Sequence, residues 1–331
     1  MENLLVKSNV LINKNLFANR FLGWFLINTL VAFMINNVLY LAFNIPFAVD
    51  FIFKNDIYAI IPTLIYLTAF GFSFFIALKN SHKSYIWDSD LLHRFNLYFI
   101  RSCFWSVFLI GSIDVIIAFM RVEEVSNMIF NDELVRALKK PSFVCTFVHI
   151  PLVFISFVIG YFSKTLGFTW LALMIVCAEL IIVITRFVFS YEQSFMGDLV
   201  RYWYAALFLF SSAFTLYDEG HVRVDIVYAG LIQKTKGMLN AIGCILLGLS
   251  TSLTIIVIAF NGKYSIINKP VMSFEVSQTG TVGMFVKYQL ALFLGIFGIT
   301  MAVQFVSYFM ESIADYREDT GKRLVHQETA H

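Results

Sequence analysis

The sequence predicts an all-α integral membrane protein with about eight transmembrane helices and short interfacial amphipathic helices. Three observations carry that expectation. Of the 331 residues, 59% are hydrophobic and 14% charged. A soluble domain carries roughly 25% charged residues, so a water-facing surface cannot be built from this chain. The mean hydropathy is +0.76, and 37 residues are phenylalanine, a composition that suits lipid as the solvent. Finally, the apolar residues gather into eight stretches, each close to the about 20 residues that cross ~30 Å of hydrocarbon.

The first stretch covers residues 22–43 and is broken by Asn44-Ile45-Pro46. Lys7, Lys14 and Arg20 precede it. It is longer than a signal-peptide core of ~7–15 residues and lacks a small-x-small cleavage pattern, so it is expected to stay as a membrane helix with a cytoplasmic start. The second, 57–78, has Pro62 near its start. A polar link with Lys79, His82, Lys83 and Arg94 leads to the third, 96–120, which carries Arg101 and Asp114. In the charged insert 121–141, Met128, Ile129, Leu134, Val135 and Leu138 interleave with acids and bases, the pattern of an interfacial amphipathic helix.

From 142 to 186 only Lys164 and Glu179 are charged. That length makes two helices, 143–162 and 166–189, around a hairpin at 163–167. The sixth, seventh and eighth are expected at 199–217, 237–260 and 286–310. The segment 187–201 mixes Phe187, Phe189, Tyr191 and Phe195 with Glu192, Gln193 and Asp198, and is expected to lie along the interface. Asp198 then starts the sixth helix, where an acid complements the dipole and caps free N–H groups. Lys and Arg are in modest excess on the side that an even count of crossings assigns to both termini, which are therefore expected in the cytoplasm.

The net charge of +2, without a long basic run, gives nucleic acid no footprint. Cys103, Cys145, Cys177 and Cys244 fall inside apolar runs with no CxxC pair, so they read as small buried hydrophobes rather than a disulfide or metal framework. No HExxH, Gly-rich phosphate loop or GxSxG is present, and no catalytic residue, cofactor or metal ligand is expected.

Ionisable groups within the spans are functional candidates by default. They are Arg101, Asp114, His149 and Glu179. Arg101 is near enough to its helix start to snorkel, and Asp114 near enough to the far end to reach headgroups. His149, before Pro151, has no second histidine at matching depth for a haem and reads as a hydrogen-bonded structural residue. Glu179 sits mid-helix, seven residues before Arg186. It needs a partner on another helix or subunit, or it stays protonated. A stand-alone channel or carrier using Arg101, Asp114 and Glu179 is one alternative reading; a redox protein built on His149 is another.

One further stretch carries a resemblance. It reads Arg186-Phe187-Val188-Phe189, then Phe195-Met196-Gly197-Asp198-Leu199-Val200-Arg201, and closes with Gly220-His221-Val222-Arg223-Val224-Asp225. This order resembles the small membrane subunit, of the DctQ type, of tripartite ATP-independent periplasmic (TRAP) transporters, and is closest to the long, mannitol/chloroaromatic-like branch. The sequence departs from the family pattern at Phe195, Gly197 and Asp198, where Trp and paired glutamates are usual. The resemblance covers about 165–315. It implies a four-helix small-subunit domain there, an added four-helix module of unassigned role at 1–164, and a polar cytoplasmic tail at 316–331.

The resemblance also implies a scaffold in a bacterial inner membrane. It would brace a large DctM-type permease subunit that moves a carboxylate or related solute with sodium, delivered by a periplasmic binding protein. Sodium coupling would lie on the partner, and Arg186, Asp198, Arg201, Gly220, His221 and Asp225 would serve subunit contact.

Overall fold

The computed structural model describes residues 2–54, 56–218, 226–276 and 280–319. Among the described residues there are no strands, and eight helices are long and apolar enough to cross a membrane. They are α1 (Glu2–Phe43), α2 (Ile60–Lys79), α3 (Tyr85–Val122), α4 (Pro141–Phe162), α5 (Phe168–Phe189), α6 (Ser194–Tyr217), α7 (Gln233–Ala259) and α8 (Lys287–Arg317). The charged insert after α3 forms two short helices, Ser126–Ile129 and Asp132–Leu138, the second capped by Asn131. Another short helix, Ala48–Phe53, follows α1. There the Lys54 ammonium, 2.9 Å from Asp50, holds the Asp50 carboxyl below its usual range.

Three helix ends differ from the hydropathy reading by more than five residues, and the start of α6 differs by five. α3 starts at Tyr85 rather than near 96, α1 starts well before 22, and α8 runs on to Arg317. The polar residues that looked like link are inside helices because they find partners there. The expected interfacial stretch 187–201 is also absent. α5 continues to Phe189, Ser190 takes a left-handed conformation (φ 54°) that ends it, and α6 begins at Ser194.

The chain forms two compact units that do not follow chain order. Unit 1 comprises 1–94, 218–254 and 301–331; unit 2 comprises 95–217 and 255–300. In unit 1, α1 and α2 pack as a hairpin. Phe17, Phe21 and Phe25, one helical turn apart, meet Phe70 and Phe74 edge to face, and Asn28 donates to Ser73 at 2.8 Å. The start of α3 meets the end of α8 through polar pairs, Ser89 with Ser307 (2.9 Å) and His93 with Gln304 (3.2 Å). Such pairs fix helix register where lipid gives no hydrophobic drive between helices.

Close backbone approach does the same. A Cβ on Gly237 of α7 would lie 2.6 Å from the Tyr316 nitrogen and 2.7 Å from the Ser312 carbonyl oxygen. Gly237→Ala is therefore expected to cost about 1–3 kcal/mol by forcing two backbones apart. A Cβ on Gly243 meets nothing within 4 Å. In detergent, the thermal midpoint should fall for Gly237→Ala and hold or rise for Gly243→Ala.

In unit 2, α4 crosses α3 at Gly160, where a Cβ would sit 3.0 Å from the Ser102 Cα, and α6 meets α3 where Trp203 lies over Gly111. Gly167 (φ 75°) opens α5 in the left-handed region, with the Phe104 ring filling the space of a Cβ. α5 packs mainly on α6, burying Leu171, Ile175 and Ala178. α4 carries a π-helical segment, Cys145–His149, directly before Pro151, whose missing N–H relaxes the helix ladder there.

Candidate functional site: a buried polar clamp before α8

The segment 283–286 enters α8 without helical structure and is buried, with Met284, Phe285 and Val286 at most 1% exposed. Buried peptide groups outside regular structure need partners. Three charged residues supply them. The Met284 N–H donates to Asp198 Oδ2 (3.1 Å), the Phe285 N–H donates to Asp114 Oδ2 (2.8 Å), and Arg121 donates to the Gly283 carbonyl while its guanidinium lies 4.1 Å over the Phe285 ring. α3 and α6 thus grip consecutive peptide units of one strand of chain.

A second layer adjoins this clamp. His149 Nε2 is 3.3 Å from the other Asp114 oxygen, and His149 Nδ1 is 2.9 Å from the Tyr288 hydroxyl. Gln289 Nε2 approaches His149 Nδ1 (3.1 Å) and donates to the Tyr288 hydroxyl (2.8 Å), while the Tyr202 hydroxyl donates to Gln289 Oε1. With donors arriving at Nδ1, the ring proton belongs on Nε2, facing the carboxylate. The π-helical turn ending at His149 aims the ring at this network. Both ring nitrogens have side-chain partners. Among the described residues, no group of three or more His, Cys, Asp or Glu is placed to hold a metal.

The remaining candidates go elsewhere. Arg101 is half-buried, donates to the Gly160 carbonyl at 3.4 Å, and leaves its Nε without a hydrogen-bond partner among the described residues. Its hydrogen bond is to the backbone of α4. Asp114 is 0% exposed and turned inward, not toward headgroups. Asp198 does not cap its own helix: it lies inside α6 and serves Met284, because α6 begins five residues earlier than the apolar pattern indicated. Glu179 is exposed on α5. Arg186 is 4.0 Å from Glu192, and Arg201 is 3.9 Å from Asp198 with 71% of its side chain exposed. Gly220, His221 and Asp225 lie outside the described residues.

Sequence reading did not single out Arg121, Tyr202, Tyr288 and Gln289. The adjacent pair Tyr288-Gln289 at the head of an apolar run was the available signal. It also treated Arg20 as a solvated flanking charge. Instead, Arg20 and Asp88 are both 0% exposed and paired at 2.6 Å. Arg20 also donates to the Asn80 and Lys83 carbonyls (both 2.6 Å), and Trp24 donates to Asp88 (2.9 Å).

This architecture defines a polytopic helical membrane protein whose buried acids hold its own backbone in place, with a histidine bonded to one of them. Residues 172–315 match the family model described as Tripartite ATP-independent periplasmic transporters, DctQ component. That part of the chain, less than half of it, is similar to the small component of TRAP transporters, and additional membrane helices precede it. No match to a curated protein or to a solved structure was found. The matched range contains Glu179, Arg186, Asp198, Arg201 and the 283–289 segment, whereas Asp114, Arg121 and His149 lie outside it. Thus α3, outside the matched range, supplies two of the three clamp charges on the segment inside it, and α4 supplies the histidine behind them.

Proposed function

We propose that this chain is the small permease subunit of a TRAP-type secondary transporter in a bacterial inner membrane, with both termini cytoplasmic. It braces a large DctM-type permease subunit. That subunit carries sodium-coupled uptake of a carboxylate or related small organic solute, delivered by a periplasmic binding protein. The observation that carries this reading is the DctQ match over 172–315. The interior supports a bracing role, because Asp114, Asp198 and His149 are spent on backbone and side-chain hydrogen bonds within unit 2. A carrier path through Arg101, Asp114 and Glu179 has no such support, since these residues face α4, the 283–286 segment and the exposed side of α5 respectively.

The test is affinity purification of the tagged chain from its native membrane, followed by reconstitution. A much larger multi-span permease is expected to co-purify, and uptake should require both subunits and the binding protein. Sodium-dependent uptake by this chain alone in proteoliposomes would overturn the proposal.

A further inference from the structure

Glu179 is the twelfth of the 22 residues in α5. At 1.5 Å per residue it lies about 16 Å from either helix end, near the bilayer centre and beyond the reach of a short acidic side chain to the headgroups. It is exposed, and it has no hydrogen-bond or ion-pair partner among the described residues. An acid at the centre of a membrane helix is costly to insert. Acyl chains offer it no donor.

The surroundings of Glu179 differ from the rest of the exposed surface of α5. Besides Ile175 and Ile182, residues at helical spacing from it are Ala172, Val176 and Val183, which have shorter side chains, and then Arg186. The opposite side is bulky, with Ile181 and Ile184. A polar side chain on a lipid-facing helix, with shorter neighbours beside it, is the kind of group to which a second membrane helix hydrogen-bonds. The face buried on α6, through Leu171, Ile175 and Ala178, is already used.

We propose that the Glu179 face of α5 seats a transmembrane helix of the large partner subunit, and that this helix presents a basic side chain to Glu179 at mid-depth. The inference rests on the proposed function and adds the contact face and its chemistry. A basic group is the complement of an isolated acid. A second copy related by a two-fold axis along the membrane normal would bring Glu179 to the same depth as its own counterpart, acid against acid.

A photo-reactive p-benzoylphenylalanine is placed at Val176 or Val183, and as a control at Ile181, in cells expressing the whole transporter. The first two positions are expected to cross-link to the large subunit, within a turn of a Lys or Arg in a membrane span; the control is not. Glu179→Leu removes the insertion cost, so the chain should accumulate and melt as well as the parent or better. Yet the large subunit recovered with it should fall by about tenfold or more, and Glu179→Asp should restore part of the loss.

If the large subunit binds Glu179→Leu undiminished, or the Val176 and Val183 adducts are lipid or a second copy of this chain, the docking proposal fails while the small-subunit assignment stands. If no large subunit accompanies the unaltered chain, both fail.

Discussion

Asp88→Ala is expected to destabilise unit 1 by about 3–5 kcal/mol, because it strands the Arg20 guanidinium, fully buried, without its counter-charge. Two carbonyl oxygens would still accept from Arg20, and neither neutralises it. Trp24 would also lose its acceptor. The double variant Arg20→Met with Asp88→Leu removes both charges, and is expected to recover about 2 kcal/mol or more of that loss. Cys244 is partly buried against the unit 1 core of Tyr85, Phe309 and Met310, so its alkylation by a fluorogenic maleimide on heating reads out this unit. A midpoint drop on the order of 10 °C is expected for Asp88→Ala. If the double variant melted no later than the single one, Arg20 would not depend on Asp88.

Asp114→Ala is expected to cost unit 2 about 2–4 kcal/mol. It leaves the Phe285 N–H and the His149 Nε2–H without acceptors in a region closed to water. Asp114→Asn keeps one carbonyl oxygen for Phe285 but turns an amide N–H toward the histidine proton, so its loss should fall between Asp114→Ala and no change. Cys103 and Cys145 are buried in unit 2. With Cys177 and Cys244 replaced, their labelling on heating reports this unit. Identical midpoints for Asp114→Ala and the parent would show that the clamp contributes nothing to holding 283–286.

Much of the fold was legible in the sequence. A run of about 20 apolar residues bounded by charges marks a span whatever it packs against, because the bilayer alone requires it. That is why all eight spans were placed, and why the positions of α2, α4, α5 and α7 came within a few residues. The ends of α1, α3 and α8 were not legible. Arg20, Asp88, Ser89 and His93 look like solvated link residues, and each is buried against a partner distant in the chain. Asp114 and His149 stood out by being ionisable within a span, but their partners Phe285 and Tyr288 are far along the chain, and no periodicity connects them.

By itself, then, the sequence determined that this is a helical membrane protein, where its spans lie, and that residues 172–315 resemble the DctQ component. Those properties depend on local hydropathy and on residue order. The tertiary structure alone decided which charges are internal and which face outward: Asp198 in a backbone clamp and Arg201 outside it, Arg20 inside and Glu179 exposed. The physical reason is that the cost of a charge in the membrane depends on the group placed opposite it. That group comes from another helix, whose position only the folded chain fixes.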